Sequence, residues 1–177
     1  MNKRFKTSHE ELMMDTKSLV ESTANKYGFP GSFDYNLSGD VLFKSDDRTL
    51  SVSNRDGVDV HLSMSVQGFT LEFYSGYVNF NETTLNRAIS DVLAKKKIMS
   101  RCIMAFVSDG WKVVKLAGRY GNDAVTVIKD RNKVNVHTNG STVALDGRRG
   151  KQTAVKVLHD AGVLQVPGSS GTYYVNL

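Results

Sequence analysis

Three groups of side chains in the C-terminal half of the sequence could bind phosphate groups. They are Arg119 and Tyr120 before Gly121; Lys129, Arg131 and Lys133 around one hairpin tip; and Arg148, Arg149 and Lys151 between a strand and a helix. Cationic side chains on the loops of a rigid sheet can reach phosphates while remaining hydrated. Lys151 also lies at a predicted helix N-terminus, which favours anions. We therefore expect these residues to contact nucleic acid if folding gathers them on one face; the alternative is ordinary solvated loop charge.

The distribution of charge also indicates the C-terminal half of the chain as the candidate binding region. The 177 residues carry a formal net charge of +5. Residues 1–97 contain 12 lysines and arginines and 13 acidic residues, whereas residues 98–177 contain 11 and 5. Such asymmetry predicts a polyanionic partner for the basic half, although a merely soluble basic surface would give the same count.

Two histidines offer a different chemistry. His61 and His137 occupy matching places in two similar stretches, and His61-Leu62-Ser63 resembles the His-x-Ser motif of two-histidine phosphoesterases. In His137-Thr138-Asn139 an asparagine replaces the hydroxyl residue. That mechanism needs both histidines as acid and base in one cleft. An isolated histidine on a strand is otherwise an ordinary half-buried residue.

The remaining motifs predict neither catalysis nor a cofactor. The sequence has no Gly-rich loop followed by Lys-Ser/Thr, no His-Glu-x-x-His and no Cys-x-x-Cys. Its one cysteine, Cys102, lies in an apolar helical stretch, which predicts a buried structural thiol and a reducing cytoplasm. No apolar run approaches the roughly 20 residues of a membrane span, and the N-terminus lacks a signal-peptide core. We therefore expect a non-enzymatic cytoplasmic protein without metal or cofactor.

Hydrophobic periodicity predicts an α+β fold. Helices are expected over 8–26, 82–97, 100–108 and 150–161. Short β-branched and aromatic runs separated by turn residues predict strands over 40–44, 48–53, 58–66 and 69–74. Further strands are expected over 111–116, 124–129, 133–138 and 141–145, with Asn139-Gly140 as a two-residue hairpin turn, and a last hairpin joins 163–166 to 172–177.

The two halves of the chain look like copies of one another. Residues 50–61 resemble residues 125–137, and each stretch follows a helix that ends in Gly-aromatic, at Gly28-Phe29 and Gly110-Trp111. This predicts two tandem related modules, each an antiparallel β-meander flanked by helices, over residues 1–98 and 99–177. The alternation required of any antiparallel sheet could also produce this likeness by chance.

The second module resembles the double-wing DNA-binding domain of the MotA family, the activators of middle genes in T-even bacteriophages. The resemblance covers residues 103–177 and follows the order of elements through residues 109–115, 128–131, 139–141 and 159–163. It implies a β-saddle that lies on double-stranded DNA, in a phage-encoded protein acting in the bacterial cytoplasm.

These observations predict a DNA-binding protein that modulates transcription or host nucleoid function through phosphate contacts from a basic β-surface. The near-neutral first module is expected to hold a host protein or to mediate dimerisation. Two alternatives stay open. One is the two-histidine phosphoesterase, acting on a cyclic nucleotide or an RNA end; the other is an interaction protein that inhibits a host factor.

Overall fold

A computed structural model describes residues 8–28, 33–35, 41–44, 48–53, 57–115, 123–165 and 172–176. Over these residues the chain forms three helices and two antiparallel sheets of five strands each, which confirms the α+β class. The helices are α1 (Ser8–Lys26), α2 (Glu82–Ser108) and α3 (Lys151–Asp160).

Both sheets are meanders in which neighbouring strands are antiparallel. Sheet 1 has the order β1-β2-β3-β4-β5 and sheet 2 the order β10-β9-β8-β7-β6. The strands of sheet 1 are β1 (Phe33–Tyr35), β2 (Val41–Lys44), β3 (Arg48–Ser53), β4 (Gly57–Val66) and β5 (Phe69–Tyr77). Those of sheet 2 are β6 (Lys112–Lys115), β7 (Val125–Lys129), β8 (Asn132–Thr138), β9 (Thr142–Arg149) and β10 (Thr172–Tyr174).

The chain divides into two compact units. The first unit comprises Met1–His61 and Tyr74–Ser90, and the second comprises Leu62–Phe73 and Asp91–Leu177. The expected module boundary between residues 98 and 99 falls inside helix α2. The division into tandem modules stays a prediction. The two sheets also differ in connection, since α3 lies between β9 and β10 whereas no helix separates the described strands of sheet 1.

In the first unit, a hydrogen bond connects the residue after helix α1 to the N-terminal part of α2, and both helices contribute buried apolar side chains. The phenol of Tyr27 donates to Asn86 Oδ1 at 2.9 Å. Asn81 caps α2 as expected, because its Oδ1 accepts the N–H of Thr84 at 2.9 Å while Thr84 Oγ1 accepts the N–H of Asn81. The buried apolar side chains of this unit include Val20, Ala24, Val58, Val60, Leu85, Ala88 and Ile89.

Helix α2 is continuous where the sequence predicted two helices. The run Lys95-Lys96-Lys97 was interpreted as a helix C-terminus, but the helix runs on to Ser108. Its apolar stripe continues beyond the lysines, because Ile98, Met99 and Cys102 are all buried. Neither glycine nor proline interrupts residues 82–108, so nothing in the backbone stops the helix there. The predicted break at residues 98–99 is therefore wrong.

Sheet 2 buries most of one face. Cross-strand partners on that face include Val113 with Val127 and Val136 with Leu145. Helix α3 packs against β8 and β9, and its Ala154, Val155 and Leu158 are buried. The remaining buried residues of this face are Val125, Val134, Thr138, Val143 and Tyr173. The opposite face carries mainly polar side chains.

The hairpin between β8 and β9 has a longer turn and a longer second strand than predicted. Thr138 pairs with Val143, so Asn139-Gly140 is not a two-residue turn. Instead, Asn139 Oδ1 accepts the N–H groups of Ser141 and Thr142, both at 2.9 Å. Strand β9 was predicted to end at Leu145 but continues to Arg149. This extension decides where the cationic residues lie.

Candidate nucleic-acid interface

The outer face of sheet 2 carries mainly polar side chains, most of which are exposed or half-exposed. Strand alternation places every second residue on this face, opposite the buried valines. Cross-strand registers show which residues share it. They are Lys112, Val114, Thr126, Ile128, Lys133, Asn135, His137, Thr142, Ala144, Asp146, Arg149, Thr172 and Tyr174.

A row of cations crosses one end of this outer face. Lys112 on β6 pairs with Ile128 on β7, Ile128 pairs with Lys133 on β8, and Lys133 pairs with Arg149 on β9. Adjacent strands lie about 4.8 Å apart, so the row spans four strands in about 15 Å. We call Lys112, Lys133 and Arg149 the cationic row. All three side chains are exposed.

A β-bulge in β9 brings arginine onto this row. The register slips between Lys133 and Asn135, so Gly147 and Arg148 together oppose Val134. Gly147 allows the close approach, because a Cβ at this position would overlap the carbonyl oxygen of Lys133. Arg148 and Arg149 therefore belong to a strand, and the prediction that they lie between strand and helix is wrong.

The β7–β8 turn and the start of α3 complete the cluster. Lys129 pairs with Asn132, which leaves Asp130-Arg131 as a two-residue turn with Asp130 at φ 54°. Gly150, at φ 90°, packs so closely on Asn132 that a Cβ would overlap the asparagine side chain. This contact ties the N-terminus of α3, and with it Lys151, to the turn that carries Arg131. The first turn of α3 has no acidic residue, and Gly150 supplies no side-chain cap.

A shallow groove of about 500 Å³ lies between the β7–β8 turn and the bulge in β9. Arg131, Lys133, Arg148 and Arg149 line it together with Asn135 and Asp146. Asn135 is held in place because its Oδ1 accepts the buried Thr126 hydroxyl at 2.9 Å. The groove thus combines four cationic side chains with polar groups on a rigid sheet.

The cations of the groove are not neutralised by the described acidic residues. Within the described part of the chain, Arg131, Lys133, Arg148, Arg149 and Lys151 form no ion pair. Lys112 on the cationic row likewise pairs with no described carboxylate. Asp130 and Asp146 are exposed nearby and reduce the local positive charge.

Lys129 lies apart from these residues. Its Nζ is 3.1 Å from Asp109 Oδ2 and also donates to the Asp109 carbonyl. The hydrogen bond from Lys129, followed by one from the Trp111 indole at 3.1 Å, lowers the pKa of the Asp109 carboxyl. Lys129 is thus engaged in holding the end of α2, and it is not among the residues that line the groove. Arg119 and Tyr120 fall outside the described residues.

The two histidines have separate surroundings. His61 lies half-exposed on β4 in the first unit. His137 lies on the outer face of sheet 2, with its Nε2 3.4 Å from Asp123 Oδ2. The phosphoesterase hypothesis stays a prediction, which turnover of a cyclic dinucleotide lost on His61→Ala would support. The described residues contain no group of three His, Cys, Asp or Glu placed to hold a metal ion.

Sequence reasoning missed Lys112 and Tyr174 as members of this surface. Lys112 precedes the buried Val113, and Tyr174 follows the buried Tyr173. Alternation with those buried neighbours would have placed both side chains outward. The sequence does not give the register of β6 with β7 and of β7 with β8. That register places Lys112 in line with Lys133.

Cys102 is a buried thiol, as the sequence predicted. Desolvation raises its pKa from 9.0 to about 12, against a smaller lowering by Arg101. We expect iodoacetamide to label Cys102 slowly at pH 8 in the native protein and rapidly in guanidinium, because the thiolate is the nucleophile. Above pH 9.0 the thiol of the unfolded chain loses its proton while that of the folded chain keeps it. Deprotonation therefore favours the unfolded state, and the free energy of unfolding falls as the pH rises. Equal labelling rates in the two states would contradict this burial.

Comparisons with protein-family models, curated protein sequences and solved structures found no match. The resemblance to the double-wing domain therefore stays a prediction. No helix in the described part of the chain has the length and apolar character needed to cross a membrane.

Proposed function

We propose that this chain is a non-enzymatic nucleic-acid-binding protein that holds phosphates on the outer face of sheet 2. The observation that carries the proposal is the cationic row, in which Lys133 stands directly opposite Arg149. Arg131 and Arg148 line the adjoining groove.

The pairing of Lys133 with Arg149 supports a polyanionic ligand. Like charges on directly opposed residues of a sheet destabilise the pair. Two unit charges about 5 Å apart in water repel by roughly 1 kcal/mol. Neither side chain is compensated by a described carboxylate. A sugar-phosphate strand would relieve this repulsion and release its own counterions on binding.

The composition of the surface fits phosphate recognition better than recognition of a small ligand. The groove is shallow, and its cations are carried by strands β8 and β9 and by the two-residue turn that precedes β8. Arginine presents several N–H donors in a planar fork that matches phosphate oxygens. Contacts of this kind supply affinity without base specificity.

The biological setting is part of the same proposal. The double-wing resemblance supports duplex DNA as the first ligand to test, and supports a phage-encoded protein that modulates transcription or nucleoid function in the bacterial cytoplasm. The first unit is proposed to hold a host protein or to mediate dimerisation.

Salt dependence of binding tests the proposal. Five contacts, from the cationic row, Arg131 and Arg148, give an expected slope of about −4.5 for log K against log salt on duplex DNA. Fluorescence anisotropy of a labelled duplex, titrated at several salt concentrations, measures this slope. A slope near zero, or no binding at low salt of either the duplex or a single-stranded oligonucleotide, would contradict the proposal.

A further inference from the structure

Tyr174 gives the outer face an aromatic side chain at the end opposite the cationic row. Its strand neighbour Tyr173 is 2% exposed on the inner face, whereas Tyr174 is 69% exposed. Tyr174 pairs with Thr142 and Thr172 pairs with Ala144, which pairs in turn with His137. The phenol ring therefore lies on the same face as Lys133 and Arg149.

The distance between the two features matches a short stretch of extended nucleic acid. Along β9, Thr142 and Arg149 are separated by a bulged run of seven residues. At about 3.3 Å per residue this places Tyr174 roughly 20 Å from the cationic row. An extended single strand covers that span with about four nucleotides, within the range of small single-strand sites.

The chemistry between these ends also favours unpaired bases over a duplex backbone. Asn135 lies at the middle of the face, two residues along β8 from Lys133 of the cationic row. An asparagine amide can bind the edges of bases that are not paired. An exposed tyrosine ring stacks on a base only when that base has left the duplex stack.

We propose that the outer face binds single-stranded nucleic acid in preference to duplex, with phosphates on the cationic row and a base stacked on Tyr174. This rests on the proposed nucleic-acid function and assigns the strandedness of its ligand. DNA and RNA share the required chemistry, so oligothymidylate and oligouridylate of about 12 nucleotides serve as separate probes.

Replacement of Tyr174 tests this assignment. Tyr174→Thr keeps a strand-forming residue but removes the ring, and is expected to weaken oligothymidylate or oligouridylate binding about tenfold. Binding of a blunt duplex is expected to stay unchanged, and Tyr174→Phe is expected to restore single-strand affinity. Equal single-strand affinities for the wild type and Tyr174→Thr would overturn the inference. Failure of the wild type to bind any of the three probes would instead overturn the proposed function.

A fluorescent variant provides a second readout that does not depend on affinity. Tyr174→Trp adds an exposed indole, whereas the native Trp111 is 3% exposed. Oligothymidylate stacking is expected to quench the added emission and leave that of Trp111 unchanged. Saturated binding without quenching at position 174 would overturn the inference while leaving the phosphate contacts intact.

Discussion

Replacing Lys112, Lys133 and Arg149 together by glutamine is expected to weaken nucleic-acid binding about 100-fold at low salt. Each lost contact to a charged phosphate removes on the order of 1 kcal/mol, and 1.4 kcal/mol is a factor of ten. The slope of log K against log salt should fall in magnitude by about 2.7 on duplex DNA. Anisotropy titrations at several salt concentrations measure both quantities.

A matched variant distinguishes the effect of removing this surface from the effect of lowering the net charge alone. Lys26, Arg87 and Lys97 are exposed on helices α1 and α2, and their replacement by glutamine removes the same charge. We expect that control to change affinity by no more than about threefold, through the general field of the protein. The cationic-row variant should also unfold at the same or higher denaturant concentration, since it removes a like-charge pair. Equal losses of affinity in the two variants would contradict the assigned surface.

Phe106→Ala is expected to lower the free energy of unfolding of the second unit by about 3–5 kcal/mol. Phe106 is fully buried, and its ring meets that of Trp111 edge-on, with centroids 5.4 Å apart at 62°. Removing the ring leaves a cavity and ends an aromatic contact that contributes about 1 kcal/mol beyond its burial. Denaturant unfolding followed by Trp111 fluorescence reports on this site directly.

Met104→Ala is the control for that substitution. Met104 lies two residues away on the same helix but is 67% exposed, so its truncation should cost less than about 0.5 kcal/mol. A Phe106→Ala protein as stable as the Met104→Ala protein would contradict the packing described here. The packing of Phe106 on Trp111 also concerns the candidate interface, because Trp111 immediately precedes the strand that carries Lys112.

The sequence predicted what depends on local pattern. Alternation around Val134 and Val136 predicted β8 and its buried face, and Asn81 predicted the start of α2. It misplaced the end of α2, because the charges of Lys95, Lys96 and Lys97 resemble a helix C-terminus whereas the apolar stripe beyond them decides the outcome.

The candidate site could be predicted only in part, because register and long-range pairs are not local properties. Arg148 and Arg149 stood out as cations, but the bulge at Gly147 that turns Arg149 onto the outer face depends on β8. Lys129 looked equivalent to Lys133, yet it pairs with Asp109, twenty residues earlier in the chain. Lys112 joins the row through the register of β6 with β7.

Chemical-shift mapping of the labelled full chain with an oligonucleotide tests the central claim most directly. We expect the backbone amides of Lys112, Lys133 and residues 147–151 to shift first and to saturate together, while those of α1 stay in place. Shifts that avoid sheet 2, or that spread evenly over every exposed lysine and arginine, would contradict it.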